Sequence, residues 1–316
     1  MRTPRVLGVA ALTVALLGLS VAAHAVNNIQ NVGAGARSAA LGNSFVAVAD
    51  DGDAVFYNPA GVAQLEARQL MYTNVSLFFG GIEGDDLGQH VVSYAHPLGS
   101  RLGVGLGYER IGSQLMSENG AFLSLGYRPT AGLSVGVNAK YLFWSVGDIP
   151  DDPVTGQADP LSNKSAGAIG LDVGVLWKTP FWGVQMGAML KNVNEPNVAR
   201  DSVPGESDAG ALPMDASVGL AYRIGGVSLV SIEWVGRDLT GDDMDSRLVV
   251  GGETELVQGL QLRAGGSKLF QEDAAGDLNA GLGYSWRDVH FDYGYHIPLD
   301  LTETNGAHRF SFAYRF

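Results

Sequence analysis

Between residue 67 and the end of the chain, apolar residues alternate with polar or glycine residues in a series of segments. Because successive side chains of a β-strand point to opposite faces, this period of two predicts strands with one apolar face. The alternation is clearest at the end of the sequence, where one face is aromatic and the other is basic or small. The aromatic face consists of Phe310, Phe312, Tyr314 and Phe316. Such a strand suits a wall with lipid on one side and a polar lumen on the other.

Fourteen segments of this kind follow one another, each about as long as the ~9–11 residues of a tilted membrane strand. They are predicted to begin near Arg68, Gln89, Arg101, Ala121, Leu133, Ala168, Gly183, Pro213, Val227, Ser246, Gly259, Asp277, Val289 and Ala307. The alternation changes face at Val91–Val92 and within 227–234, which predicts β-bulges.

The connections between these segments alternate between short and long along the whole series, and the longest are residues 146–166 and 193–212. Short turns at one end and long loops at the other are typical of bacterial outer-membrane barrels. Aromatic residues gather toward the strand ends, as in an interfacial girdle: Tyr108, Tyr127, Trp144, Trp177, Trp182, Tyr222, Trp234, Trp286, Tyr295 and Phe316. Residues 67–316 are therefore predicted to form an all-β, closed antiparallel transmembrane barrel of about 14 strands.

The first 25 residues have the features of a secretory signal peptide. Arg2 and Arg5 precede an apolar run that starts at Val6, and Ala23-His24-Ala25 supplies an A-x-A cleavage site. The competing interpretation is one transmembrane helix, because a run of about 18 residues reaches the lower length limit for crossing a bilayer. Cleavage is the preferred prediction, and with it a location in the bacterial outer membrane.

Residues 26–66 lack the period of two and are rich in glycine and other small residues. Asn58-Pro59 is a turn signal. A segment of this length cannot build its own core. It is therefore predicted to fold into the lumen of the barrel as a plug.

Three motifs in this segment resemble the N-terminal signature of the PorV/PorQ family, which is related to the FadL-type (OMPP1/FadL/TodX) outer-membrane transporters. They are Gly-Ala-Arg-x-x-x-Leu-Gly at 35–42, Phe-Val-Ala-Val-Ala-Asp-Asp at 45–51, and Tyr-Asn-Pro-Ala-Gly at 57–61. The stretches 171–176, 191–193 and 308–316 are similar to the same family.

The resemblance implies a fourteen-stranded barrel that contains an N-terminal plug. In FadL-type proteins a hydrophobic ligand enters from the outer surface, passes through the lumen and leaves past a kinked strand. PorV-like barrels of the type IX secretion system instead receive the C-terminal signals of secreted proteins. Family membership does not choose between these two roles.

The preferred functional hypothesis is a FadL-like passage or binding site for hydrophobic small molecules. The candidate ligand-binding residues are Phe45, Phe56, Tyr57, Asn58 and Pro59. The aromatic rings are expected to touch the ligand, and the Asn-Pro turn to fix the path of the plug; packing within the plug explains the same residues equally well. The alternatives are a barrel that docks secreted proteins through its outer loops and a structural barrel without an open path.

Charge and composition restrict the partners. The net charge of −13 argues against nucleic acid, and the chain has no cysteine. Most acidic residues fall in the predicted long loops, where they either keep the loops soluble or bridge through divalent cations to lipopolysaccharide. Outer-membrane lipid, lipopolysaccharide, a hydrophobic ligand and a secreted protein remain the candidate partners. No cofactor or specific metal site is predicted.

The predicted inner face is rich in glycine, which leaves room for the plug or for a ligand track. His290, Asp292 and His296 share a face of one predicted strand. A serine hydrolase also needs a positioned nucleophile, and the chain lacks a Gly-x-Ser-x-Gly elbow. Catalysis and a two-histidine metal site are therefore not predicted.

Overall fold

A computed structural model describes residues 32–77, 87–113, 115–151, 156–159, 161–199, 210–241, 244–270, 276–299 and 305–316. The predicted signal peptide and most acidic loop residues lie outside these ranges. The strands form one closed antiparallel barrel in which each strand pairs with its neighbours in sequence and β14 pairs with β1. Within the described ranges, no helix is long and apolar enough to cross a membrane.

The fourteen strands agree in number with the prediction. They are β1 (Gln69–Ser76), β2 (Gly88–Leu98), β3 (Leu102–Gly112), β4 (Met116–Tyr127), β5 (Leu133–Val146), β6 (Ser165–Lys178), β7 (Gln185–Lys191), β8 (Asp215–Ile224), β9 (Ser228–Arg237), β10 (Asp245–Val257), β11 (Leu260–Leu269), β12 (Gly276–Trp286), β13 (Val289–Pro298) and β14 (Ala307–Arg315). The end of the barrel that carries residues 147–164 and 192–214 is called the long-loop end, and the opposite end the short-turn end.

From residue 32 onward, where the described part of the chain begins, three short elements precede β1: α1 (Ala36–Ala40), α2 (Ala54–Tyr57) and a 3₁₀ helix (Pro59–Gln64). The 3₁₀ helix contacts β2 to β6, whereas α1 contacts β11 to β14 on the other side of the barrel. Most side chains between residues 34 and 65 are buried. The segment gains this burial from the barrel wall, since its own elements are only a few residues long.

The two faces of the strands follow the predicted alternation. In β14, Phe310 and Phe312 are exposed on the outside, while Arg309 and Ser311 are buried on the inside. The exposed apolar side chains continue around the barrel on the same outward face. This arrangement gives the wall an apolar exterior and a more polar interior.

Glycines on the inner face provide space for the N-terminal segment. A Cβ atom on Gly136 would collide with Pro59 and Ala60, and one on Gly107 would lie 2.8 Å from atoms of Val55 and Phe56. The same closeness to residues 36–63 is found at Gly103, Gly105, Gly126, Gly174, Gly187, Gly219, Gly251, Gly265, Gly281 and Gly294. Of the two interpretations of the glycine-rich face, the structure favours room for this segment.

Three expectations about the strands are wrong. β2 and β9 keep a continuous register with both neighbours, so neither contains a predicted bulge; the register shift lies between Glu255 and Val257. β4 begins at Met116 rather than near Ala121, so the connection 113–115 is as short as the turns at the other end. Trp144 is buried on the inner face and is not part of an outer girdle. Its position near a strand end could not reveal which face it occupies.

Candidate functional site

Asn58 and Pro59 hold the N-terminal segment against the wall. The Asn58 side-chain amide donates to the carbonyl oxygens of Val46 at 2.8 Å and Val175 at 3.1 Å, and its Oδ1 accepts from the Ala60 amide at 3.1 Å. Asn58 is fully buried. One side chain therefore joins two parts of the segment to the backbone of β6.

Phe45 and Tyr57 form an aromatic pair inside the segment. Their rings meet edge to face with centroids 5.3 Å apart. The Tyr57 hydroxyl donates to Asn43 at 2.6 Å and accepts from the Ala34 amide at 3.1 Å. Burial and the nearby Asp53 raise the pKa of Tyr57, so the hydroxyl stays protonated. Phe45 thus packs within the segment and does not face open space.

Phe56 faces the long-loop end and meets the barrel wall there. Its ring contacts Phe122 of β4 edge to face, with centroids 5.1 Å apart. Phe56, Phe122 and Tyr57 line a cavity of about 30 Å³. This volume accommodates water but is far below the roughly 150 Å³ of an apolar cavity that binds benzene.

A continuous group of apolar side chains extends from Phe56 toward the long-loop end. Leu142 and Trp144 of β5 are buried on the inner face, and Val198 and Leu212 reach them from the loop between β7 and β8. The Trp144 indole nitrogen donates to the carbonyl oxygen of Val198 at 3.0 Å. We call this group the apolar cluster: Phe56, Phe122, Leu142, Trp144, Val146, Val198 and Leu212.

Charged groups border the same cavity. Lys140 and Asp172 form an ion pair of 2.6 Å between β5 and β6, and both are almost fully buried. Glu109 and Lys191 complete the polar lining. The cavity is therefore amphipathic, because aromatic rings of the segment and of β4 line it together with compensating charges on the wall.

The barrel wall has a gap beside the apolar cluster, on the side of β6 that faces β7. β6 pairs with β5 from Ser165 to Trp177, but with β7 only from Val173 to Lys178. Beyond that point, the Asn194 side chain accepts from the Leu171 amide at 2.8 Å and donates to the Ile169 carbonyl at 2.9 Å. The Val193 amide also donates to the Leu171 carbonyl at 2.9 Å, so a loop replaces a strand along this edge.

Loop residues also close the gap from within. Pro196, Val198 and Ala199 are buried. A Cβ atom on Gly170 would lie 3.4 Å from the ring of Pro196, so glycine allows the loop to pack closely on β6. Loop hydrogen bonds and loop packing, instead of a paired strand, therefore separate the cavity from the outside of the wall here.

On its short-turn side, the N-terminal segment is bound to the wall by charges. Arg37 makes two hydrogen bonds to Glu253 of β10, at 2.8 and 3.0 Å, and bonds of 2.6 Å to both Asp50 and Asp51. Arg263 joins Glu253 to Asp292 with two contacts of 2.6 Å. Together with Arg223, which pairs with Asp50, we call these side chains the ionic network. They border a polar chamber of about 340 Å³ at the short-turn end.

Burial and neighbouring charges oppose each other at Arg37, whereas burial and the charge of Asp51 act in the same direction at Asp53. Burial alone would lower the pKa of Arg37, but Asp50, Glu253 and Asp51 together raise it, so the guanidinium stays charged. Burial raises the pKa of Asp53, and the negative charge of Asp51 raises it further. Asp53 accepts a hydrogen bond from the Ser38 hydroxyl at 2.9 Å.

The five predicted ligand-binding residues therefore occupy different surroundings. Phe56 and Tyr57 line the cavity, whereas Phe45, Asn58 and Pro59 pack inside the segment or against the wall. The prediction missed Phe122, Leu142 and the loop residues Val198 and Leu212. The apolar run 121–123 gives no period from which the inward direction of Phe122 could be read.

The polar residues considered for catalysis have separate partners. His290 bonds through Nδ1 to the Ser285 hydroxyl at 2.7 Å, Asp292 binds Arg263, and His296 bonds to Asn279 at 2.8 Å. Among the described residues, no group of three or more His, Asp or Glu side chains is arranged to hold a metal ion.

Comparisons with solved structures identify barrels of the same fold. A structure titled as the CymD monoaromatic hydrocarbon channel has a TM-score of 0.62 at 15% identity, covering 90% of this chain and 98% of that chain. The Ralstonia pickettii toluene transporter TbuX has a TM-score of 0.62 at 16% identity, with 92% and 100% covered. The P. putida toluene transporter TodX has a TM-score of 0.67 at 13% identity, with 90% and 99% covered.

Sequence comparisons add no closer relationship: no family model matches the chain, and no curated protein does. The PorV/PorQ resemblance therefore has no support from them. The structural neighbours are titled as channels and transporters, and at these identities the likeness concerns the fold.

Proposed function

We propose that the protein is an outer-membrane barrel that binds apolar small molecules in its lumen and passes them across the outer membrane. The observation that carries this proposal is the apolar cluster on the inner face of the wall. Side chains that line a water-filled channel are usually polar. Leu142, Trp144 and Val198 are instead buried against one another, and they would offer an apolar surface to a molecule that enters from the long-loop end and displaces part of this packing.

The driving force for such binding is the removal of apolar surface from water. Each Å² of apolar surface buried contributes about 25 cal/mol. The cluster is already close-packed, so a ligand gains this free energy only after side chains or loop residues move aside. Residues 196–199 are the segment whose displacement would enlarge the cavity and uncover the gap beside β6 at once.

The N-terminal residues 26–66 act as a plug in this proposal. Its contacts with both sides of the barrel and the glycines that accommodate it support this role. Phe56 and Tyr57 would touch the ligand, while Phe45, Asn58 and Pro59 keep the plug in place. The gap beside β6 offers a side route from the cavity that avoids the plug.

A role in docking secreted proteins is the second candidate, and no observation favours it. Val198 and Leu212, two apolar residues of a long connection, are buried against Trp144 and do not face outward. Surrounding outer-membrane lipid and lipopolysaccharide are the partners that the proposed location implies.

Uptake by intact cells tests the proposal. Gram-negative cells without their own channels for hydrophobic compounds would express the wild type, Leu142→Asn or Leu229→Asn. Both leucines are buried on the inner face, but Leu229 lies outside the apolar cluster. We expect at least tenfold slower uptake of radiolabelled toluene with Leu142→Asn, and uptake close to wild type with Leu229→Asn.

Folding is checked by the heat-dependent gel mobility of each barrel in outer-membrane fractions. Equal toluene uptake by all three folded proteins, or uptake no faster than in cells without the protein, would refute the proposed passage.

A further inference from the structure

A polar row crosses the outside of β1, β2 and β3 near the long-loop end. Asn74 is the register partner of His90, and His90 is the register partner of Arg110. All three point outward, since the alternate residues Val75, Gln89 and Glu109 are buried on the inner face. Directly opposed cross-strand side chains are neighbours, with Cβ atoms about 4.5–5.5 Å apart.

The row presents hydrogen-bond donors to its surroundings. The Nδ1 atom of His90 contacts the Tyr72 hydroxyl at 3.0 Å and the Asn74 amide nitrogen at 3.3 Å. An amide nitrogen only donates, so Nδ1 accepts this bond, and Nε2 is the ring nitrogen left to donate outward. The Arg110 guanidinium adds a fork of N–H donors beside it.

Arg110 differs from the arginines inside the barrel. Arg37 and Arg263 are paired with carboxylates, whereas no ion pair of Arg110 occurs among the described residues. A charged side chain on a lipid-facing wall is costly at the centre of a bilayer and much less so near its surface. An anion supplied by the membrane surface would compensate the charge.

Aromatic rings indicate the depth of this row. The Tyr72 ring stacks on His90 with an interplanar angle of 18°. Tyr108 lies on the same outward face as Arg110, two residues farther from the strand end, and is exposed. Tyrosines of membrane barrels gather where hydrocarbon meets headgroups. The row lies beyond this level, toward the headgroups.

We propose that His90 and Arg110, supported by Asn74, bind a phosphate of the outer-leaflet lipid lipopolysaccharide. The guanidinium matches two phosphate oxygens with parallel hydrogen bonds, and the His90 Nε2–H adds a third donor. This inference rests on the proposed outer-membrane location but not on the passage of any ligand.

Native mass spectrometry of the purified barrel with bisphosphorylated lipid A tests the site. Arg110→Gln should retain lipid A about tenfold less than the wild type, because a charge-assisted contact is lost. Arg287→Gln is the matched control: Arg287 lies in a short turn at the opposite end, with its guanidinium 5.2 Å from the Trp286 ring centre. It should retain lipid A as the wild type does.

Two further samples distinguish lipid from a free anion. Lipid A without its phosphates should bind the wild type and Arg110→Gln equally weakly. Millimolar inorganic phosphate should not displace intact lipid A from the wild type. Equal retention by Arg110→Gln and the wild type, or displacement by inorganic phosphate, would overturn the inference. Toluene uptake is a separate readout, and Arg110→Gln should leave it unchanged.

Discussion

The two faces of the N-terminal segment meet opposite chemistry. Toward the long-loop end, Phe56 packs on Phe122 and the rest of the apolar cluster. Toward the short-turn end, Arg37 ties the segment to Glu253 through the ionic network. Apolar packing is non-directional and adapts when a side chain moves, whereas ion pairs require fixed geometry. We therefore expect the side of the segment toward the long-loop end to rearrange when a ligand binds, and the side toward the short-turn end to stay fixed.

Removing an ion pair on the short-turn side should destabilise the N-terminal segment more than any other change that we propose. Arg37→Met leaves Asp50, Asp51 and Glu253 without their shared cation, which typically costs about 3–5 kcal/mol for a buried pair. Amide hydrogen exchange of residues 36–51 should accelerate strongly. Arg223→Met is the control, because its side chain is 53% exposed and such a pair contributes at most about 1 kcal/mol. Equal exchange in both variants would show that the network does not hold the segment.

The glycine-lined wall offers the next test. Gly136→Val inserts atoms where Pro59 and Ala60 lie, and overpacking of this kind costs up to about 3 kcal/mol. Limited proteolysis should cut the segment faster than in the wild type. Gly252→Val serves as the control, since its Cβ would have its nearest neighbour at 3.9 Å. Protection of the segment in both variants would mean that it does not depend on the glycines.

Asn58 connects the segment to the wall between the two faces. Asn58→Asp keeps the shape but cannot donate to Val46 and Val175, and an unsatisfied buried group costs about 2 kcal/mol. Exchange should increase around residues 46 and 58–61 and remain slow at Arg37. If Asn58→Asp accelerated exchange at Arg37 as much as around Asn58, the two faces of the segment would not be attached independently.

A change of pH should have the smallest effect on the stability of the N-terminal segment. The pKa of Asp53 is raised on folding, first by burial and then by Asp51, so folding favours the protonated acid. Its stabilising contribution is complete below the unfolded pKa of about 3.9 and is lost as the pH rises through the folded pKa. The protection factors of amides 53–57, which are corrected for the intrinsic pH dependence of amide exchange, should therefore be higher at pH 5 than at pH 8. Asp53→Asn should remove this difference, and its persistence would assign the titration to another group.

The sequence was sufficient to predict the barrel, but it did not predict most residues of the candidate site. Alternation such as that of Phe310 and Phe312 predicted the strand count, because an apolar wall imposes a period of two. The same rule left Phe122 unassigned and did not prevent the wrong placement of Trp144 in the outer girdle, since runs that are apolar on both faces have no period. Glu253 lies 216 residues from Arg37. Only the closed topology brings such partners together.

The motif residues show the same limit. The turn at Asn58-Pro59 was predicted from sequence, and its hydrogen bonds agree with a role in fixing the path of the segment. The short connection 113–115 escaped prediction because β4 starts with polar residues that bury their side chains, such as Glu118. Polar residues on a buried inner face conceal a strand from any pattern based on hydropathy.

Photolabelling with a toluene analogue that carries a diazirine would test most directly whether apolar molecules bind inside the lumen. The barrel would be labelled in lipid vesicles with and without excess toluene, and modified residues located by peptide mass spectrometry. We predict labelling of Phe122, Leu142 or Trp144 that toluene suppresses, beside unsuppressed labelling of outward residues such as Leu123. Labels confined to outward-facing residues, or inner labels that toluene leaves unchanged, would contradict a binding site at the apolar cluster.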